Sequence, residues 1–128
     1  CYTKRCLMEH LQQNTLSRLS RLTPEERDAV LEFVKRLKAL FGPSIQEIIL
    51  FGSKTREQSE SNSDIDILIV LDKISIQIKK AISELAAEQN IKHNVLISTI
   101  RYDTATWENP AIQASPFGQA VKHEGIWL

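Results

Sequence analysis

Two short groups of residues in this chain have the types and spacing that phosphoryl chemistry requires. Gly52 and Ser53 come first, and after ten further residues the chain reads Asp64, Ile65 and Asp66. A glycine turn lets backbone N–H groups approach a polyphosphate, and a serine hydroxyl can donate to a phosphate oxygen. Two carboxylates can share Mg²⁺, which prefers oxygen ligands and stabilises both the attacking and the leaving oxygens of an in-line displacement. The spacing therefore favours metal-assisted nucleotidyl transfer.

Each of these groups lies at the end of an apolar run. The β-branched run Ile45–Phe51 stops at Gly52 and predicts a buried strand. The run Asp64–Leu71 predicts a second strand. Asp64 and Asp66 are two residues apart, so they project from the same face of that strand. We therefore predict that both aspartates are catalytic metal ligands.

Taken separately, each group also has an ordinary structural explanation. The Gly-Ser pair is typical of a turn between a strand and a helix, and a pair of aspartates is common where a strand begins. The combination favours chemistry, because Asp66 stands between Ile65 and Ile67 in an otherwise apolar strand. An unpaired carboxylate is costly to bury there, and a purely structural strand has little reason to contain one.

The remaining pattern predicts the elements that position these groups. Thr23, Pro24 and Glu26 mark a helix start, with an N-cap threonine, a proline at the first helical position and a glutamate in capping-box register. This helix should end at Gly42 and Pro43. Apolar periodicity predicts three further elements: a helix over Ser75–Gln89, a strand over Ile91–Ile100 and a helix over Ala111–His123. The fold class is therefore α+β, with helices layered on a sheet.

Length, composition and charge restrict the classes of function. A chain of 128 residues with 42% hydrophobic content predicts one globular domain. Leucines at helical spacing predict an amphipathic N-terminal extension over residues 1–21, ahead of a domain over residues 22–128. Sixteen basic and sixteen acidic residues give a formal charge of zero, which argues against strong nucleic-acid binding. There is no apolar run of transmembrane length and no signal core, so we expect no membrane contact and a cytoplasmic location.

The segments Leu50–Arg56 and Ser63–Val70 resemble the signature of the DNA polymerase beta-like nucleotidyltransferase superfamily, in particular its minimal nucleotidyltransferase branch. The resemblance implies a nucleotidyltransferase fold, in which a small mixed β-sheet packs against helices on one side. It also implies ATP as substrate and Mg²⁺ as cofactor, with Asp64 and Asp66 holding the metal. The residues that it assigns to nucleotide binding are Gly52, Ser53, Arg56 and Ser63.

The chain departs from this family at one position. Active members usually supply a third carboxylate from the next strand, where it holds the metal that activates the attacking hydroxyl. The segment Lys92–Ser98 contains no acid. By register we place Asn94 at this third catalytic position, with His93 and Ser98 as alternatives, and none of the three brings negative charge. The ordinary interpretation of His93 is an exposed or edge-strand histidine without a catalytic role. Asp103, the nearest downstream acid, is expected in a turn beyond the strand.

The resemblance leaves more than one function open. Small members of the minimal branch are often encoded beside an all-helical HEPN-type protein and act as antitoxins, transferring AMP to a tyrosine of that ribonuclease toxin. This implies an enzyme in a hetero-oligomer with a HEPN-type toxin. The alternative is a weakened nucleotidyltransferase-fold module that neutralises its partner by direct complex formation. Modification of an aminoglycoside or an RNA fits less well, because no second domain is present to recognise such an acceptor.

Overall fold

A computed structural model describes residues 19–52 and 64–128, and all structural statements concern these two ranges. Four strands form one sheet in the order β3-β2-β1-β4. The strands are β1 (Ile45–Phe51), β2 (Ile65–Leu71), β3 (Ile97–Asp103) and β4 (Ile126–Trp127). The α-helices are α1 (Pro24–Phe41), α2 (Ile76–His93), α3 (Thr104–Trp107), α4 (Pro110–Ala114) and α5 (Pro116–Glu124).

The sheet is mixed. Strand β1 runs antiparallel to both β2 and β4, whereas β2 runs parallel to β3. Two consecutive strands can be parallel only if a crossover connects them, and helix α2 provides that crossover. The predicted α+β class and the small mixed sheet are confirmed.

The start of α1 is fixed by the capping box that the sequence predicts. The Thr23 hydroxyl accepts a hydrogen bond from the Glu26 backbone N–H at 3.1 Å, and the Glu26 carboxylate accepts one from the Thr23 N–H at 2.9 Å. Each bond satisfies an N–H that has no partner within the helix. The helix ends at Phe41, and Gly42 follows with a φ of 47°. Both predicted ends of this helix are confirmed.

The strand predicted over Ile91–Ile100 exists, but it begins later than predicted, at Ile97. Helix α2 continues through His93, and Asn94 ends it in the left-handed region with a φ of 53°. The Asn94 N–H donates to the carbonyl of Asn90, and β3 begins only at Ile97. Asparagine is one of the few residues that adopt this conformation at low cost, so it can terminate a helix where glycine is absent.

A side chain of α2 fixes the first residue of β3. The Asn90 Oδ1 atom accepts a hydrogen bond from the Ile97 N–H at 2.7 Å. On the side facing β2, the Ile65 N–H donates to the Leu96 carbonyl at 2.8 Å, and Ile65 is the register partner of Ile97. The beginnings of β2 and β3 therefore lie side by side at the same end of the sheet.

The C-terminal helix that the sequence predicts over Ala111–His123 is divided into α4 and α5. Ser115 separates them, with an extended ψ of 159°, and its hydroxyl accepts from the Gly118 N–H at 3.1 Å. The division follows from Pro116, because a proline disfavours helical geometry in the residue before it and is favourable at the first position of a new helix.

The two faces of the sheet carry different helices. Ile65, Ile67 and Ile69 of β2 face the main core, which α1 and α2 cover. Leu68 and Val70 project from the opposite face into a smaller cluster, to which Trp107 of α3 and Val121 of α5 contribute. The long helices lie on one side and the short C-terminal helices cover part of the other side, whereas the family resemblance implied helices on one side only. Because side chains alternate along a strand, Asp64 and Asp66 belong to this second face.

Little of the predicted N-terminal extension falls within the described residues. Leu19–Arg21 form a single turn of 3₁₀-helix, and Leu19 and Leu22 are buried in the main core. The rest of the predicted helix, residues 1–18, lies outside the described ranges. No helix in the described part of the chain is both long and apolar enough to cross a membrane.

Candidate functional site

The two groups singled out in the sequence meet at one end of the sheet. Gly52 follows directly after β1, and Phe51 is the antiparallel register partner of Asp66 on β2. Gly52 has a φ of +82°, a conformation that L side chains rarely adopt. A Cβ atom added to Gly52 would lie 2.5 Å from Oδ2 of Asp66. The turn therefore requires glycine both for its backbone conformation and for its close approach to the carboxylate.

We expect Gly52→Ala to weaken ATP binding in the presence of Mg²⁺ by at least about tenfold, or 1.4 kcal/mol. The new methyl group forces the Asp66 carboxylate to rotate away, which displaces a predicted metal ligand. Gly42→Ala is the matched control, because Gly42 also has a positive φ but a Cβ there meets nothing within 4 Å. Both variants should lose some thermal stability, and only Gly52→Ala should lose affinity in a calorimetric titration. Equal affinities would remove Gly52 from the site.

The two carboxylates have the electrostatics of a cation-binding site. Asp64 is exposed at the start of β2, and Asp66 is partly buried. Burial raises the pKa of Asp66, and the negative charge of Asp64 raises that pKa further. The two groups are thus close enough to repel each other, and a divalent cation bound between them would relieve that repulsion. Carboxylate oxygens are also the donors that Mg²⁺ prefers, so the residues fit this metal.

The third position beside the carboxylates is occupied by Ser98. Ser98 is the parallel register partner of Asp66, and partners in neighbouring strands project from the same face. The assignment of Asn94 to this position is therefore wrong, because Asn94 caps α2 before β3 begins. Ser98, considered as an alternative from the sequence, offers a hydroxyl where an acid was expected.

His93 and Asp103 have structural roles. The Nε2 atom of His93 lies 3.1 Å from a carboxylate oxygen of Glu32, and the Lys92 Nζ lies 3.0 Å from the other. Hydrogen bonds from His93 and Lys92 lower the pKa of Glu32 to about 2 and tie α2 to α1. Asp103 ends β3 and caps α3, and its hydrogen bonds with Thr106 lower its pKa. Within the described ranges, no three His, Cys, Asp or Glu side chains are grouped so that they could hold a metal.

Aromatic side chains adjoin the carboxylates on the second face of the sheet. The ring of Phe51 packs edge-to-face against that of Phe117 of α5, with centroids 5.3 Å apart. Phe117 also lies within 6.3 Å of Tyr102 and 6.1 Å of Trp107, measured between ring centroids. No local sequence pattern predicts the contact of Phe117 with Phe51, because only the folded sheet brings α5 to this face.

Three of the predicted nucleotide-binding residues cannot be placed. Ser53, Arg56 and Ser63 belong to residues 53–63, which lie outside the described ranges. Their contacts with a nucleotide stay predictions. The structure brings together Gly52, Asp64 and Asp66 and adds Ser98 beside them.

A family model for the nucleotidyltransferase domain matches residues 30–115 of this chain. The match includes β1, β2 and β3 and therefore the whole arrangement of Gly52, Asp64, Asp66 and Ser98. The chain belongs to the nucleotidyltransferase domain family. The resemblance that the sequence motifs carry, and the nucleotidyltransferase fold that it implies, are confirmed.

Two proteins of Methanocaldococcus jannaschii are similar to this nucleotidyltransferase in sequence. One, named "Putative protein adenylyltransferase MJ0141", is 30% identical over 76 residues, which are 59% of this chain and 77% of the relative. The other, of the same name with the designation MJ0604, is 40% identical over 75 residues, which are 59% of this chain and 71% of the relative. Both relatives thus match most of their own length.

The fold is also similar to a solved structure. A chain in the crystal structure of a mutant of the toxin–antitoxin MntA–HpeT superimposes with a TM-score of 0.50 and 21% sequence identity. The superposition covers 75% of this chain and 69% of that chain. At this level of identity the likeness concerns the fold.

Proposed function

We propose that this nucleotidyltransferase is Mg²⁺-dependent and acts as an antitoxin, transferring AMP from ATP to a tyrosine of a HEPN-type ribonuclease toxin. The observation that carries the proposal is the meeting of Gly52 with Asp66, next to Asp64, in a chain of this family. The names of the two archaeal relatives support a protein as the acceptor. The toxin partner is suggested by the resemblance to the minimal branch.

Each described residue of the site has a distinct task in this reaction. Asp64 and Asp66 would hold Mg²⁺, which when bound neutralises the triphosphate and the charge that develops during transfer. The absence of a side chain at Gly52 leaves room for the Asp66 carboxylate beside the turn, and a phosphate would approach the backbone N–H groups of that turn. The tyrosine oxygen forms a bond to the α-phosphorus, the bond from that phosphorus to the bridging oxygen breaks, and pyrophosphate leaves. The proton of the tyrosine hydroxyl is released to solvent.

One specific observation favours a second candidate function. The register places Ser98 next to Asp66, so the described residues supply a neutral hydroxyl where active members of the family usually have an acid. A metal that activates the attacking hydroxyl is held by anionic ligands, and the bound cation lowers the pKa of that hydroxyl. We therefore expect the missing acid to slow the chemical step more than it weakens nucleotide binding. A module that masks its toxin by complex formation alone is the corresponding alternative.

Transfer of label from ATP separates the two functions. The chain is incubated with Mg²⁺ and a purified HEPN-type helical protein, once with ATP labelled on the α-phosphate and once with ATP labelled on the γ-phosphate. The proposal predicts that only the α-label becomes attached to the helical protein, and that EDTA prevents the attachment. A stable complex that never acquires label would contradict the enzyme and support the masking module. Attachment of the γ-label would indicate a kinase.

A further inference from the structure

Two partly buried rings stand beside the predicted metal site. Phe51 is the register partner of Asp66, and Phe117 packs against Phe51 at nearly a right angle, 83° between the ring planes. Neither ring is fully covered by the described residues, whereas Trp107 behind them is buried with 6% exposure. We call Phe51 and Phe117 the aromatic wall. It continues the surface that begins with Gly52 and the carboxylates.

The position of Phe117 is held by close packing. Its ring contacts those of Tyr102 and Trp107, with centroids 6.3 Å and 6.1 Å away. The next residue, Gly118, is so near to the backbone of α4 that an added Cβ would overlap the carbonyl oxygen of Ile112. Helix α5 therefore packs directly on α4, and this contact orients Phe117 at the start of α5. A rigid aromatic group next to a binding site can hold a ligand with little loss of conformational entropy.

The segment that supplies Phe117 lies outside the part of the chain that the family model matches. That match ends at residue 115, and α5 begins at Pro116. The carboxylates and the glycine turn lie within the matched domain, whereas one half of the aromatic wall comes from the helix that follows it. The family match therefore assigns no role to Phe117.

We propose that the aromatic wall stacks the nucleobase of the nucleotide substrate. This inference deepens the proposed function and rests on it. A nucleotide whose phosphates lie at Gly52 and at the carboxylates must place its base on a nearby surface, because only the ribose separates the base from the α-phosphate. Phe51 of the aromatic wall adjoins Asp66 on that face, and Phe117 packs on Phe51. Every base has a π-face, so stacking on phenylalanine binds a base without requiring particular hydrogen bonds.

The test compares two ligands that differ in whether they carry a base. ATP and inorganic tripolyphosphate are each titrated calorimetrically, with Mg²⁺, into the parent chain, Phe117→Leu and Phe117→Tyr. Base–aromatic stacking is worth roughly 1–3 kcal/mol, so Phe117→Leu should weaken ATP binding by about fivefold or more. Tripolyphosphate binding should stay unchanged, and Phe117→Tyr should retain the affinity for ATP. Phe41→Leu is the matched control, because Phe41 packs against the main core. This variant should change the affinity for neither ligand.

Each other outcome overturns the inference. If Phe117→Leu weakens ATP and tripolyphosphate equally, Phe117 only supports the fold of the site. If ATP binding is unchanged while the KM for the protein acceptor rises, the aromatic wall holds the acceptor ring instead of the base. Failure of the proposed function looks different, because the α-label of ATP would then never become attached to the protein acceptor, whatever the effect of Phe117→Leu on ATP binding.

Discussion

Asp66→Asn should lower the rate of nucleotide transfer by at least about a hundredfold, because changes in the groups that merely orient metal ligands already cost 10–100-fold. The substitution keeps the shape of the side chain and removes the charge that would bind Mg²⁺. It should also raise the melting temperature of the metal-free protein at neutral pH. Burial and the charge of Asp64 raise the pKa of Asp66, so the ionised side chain is disfavoured in the folded state. Lower activity with higher stability is typical of a residue retained for function.

The pH dependence gives this prediction a definite sign. Folding raises the pKa of such a carboxyl group. The group then stabilises the protein at pH values below its pKa in the unfolded state, and this stabilisation is lost as the pH rises through its pKa in the folded state. The ordinary pKa of this side chain is 3.8. The gain in melting temperature in Asp66→Asn, measured in EDTA, should therefore shrink as the pH falls toward that value. Asp72→Asn, which neutralises an exposed acid just beyond β2, should change neither rate nor melting temperature. Equal activity of Asp66→Asn and the parent would contradict the metal site.

Ser98→Asp should raise the transfer rate, on the order of tenfold or about 1.4 kcal/mol of barrier, with little change in ATP affinity. The parallel register places residue 98 beside Asp66, so an aspartate there supplies a third carboxylate to the metal that activates the acceptor. Three acids without a cation repel one another. The melting temperature of Ser98→Asp should thus fall in EDTA and recover with Mg²⁺ by more than that of the parent.

Asn94→Asp is the matched control for that gain. It adds the same charge four residues earlier, where the chain caps α2, and should leave the transfer rate unchanged. A gain in Asn94→Asp instead of Ser98→Asp would contradict the register of β3. No gain in either variant, with measurable transfer by the parent, would indicate that the partner supplies the missing group.

The parts of the fold that could be predicted from the sequence are those with local signals. The capping box at Thr23 and Glu26 fixes the start of α1 through residues three apart. The bounds of β1 follow from an apolar run that stops at Gly52. The pairing of Asp66 with the end of β1 was also predictable, because two adjacent strands joined by a polar segment commonly lie side by side.

The parts that could not be predicted depend on competition between local signals or on distant contacts. Ile91 favours a strand by its β-branched side chain, yet it lies on α2 with 85% exposure because the helix runs on to the left-handed turn at Asn94. Because β3 begins only at Ile97, the residue beside the two carboxylates is Ser98 and not Asn94. The contact of Phe117 with Phe51 joins residues far apart in sequence, and it depends on how α5 packs on the sheet. No periodicity encodes such a contact.

The most direct test of the account is a crystal structure of the chain with Mn²⁺ in place of Mg²⁺ and an ATP analogue that resists cleavage between the α- and β-phosphates. Anomalous scattering locates Mn²⁺ without reference to the protein density. The account predicts an anomalous peak within bonding distance of carboxylate oxygens of both Asp64 and Asp66, with the triphosphate against the backbone of Gly52. A bound nucleotide whose metal contacts neither aspartate, or whose phosphates lie away from Gly52, would contradict it.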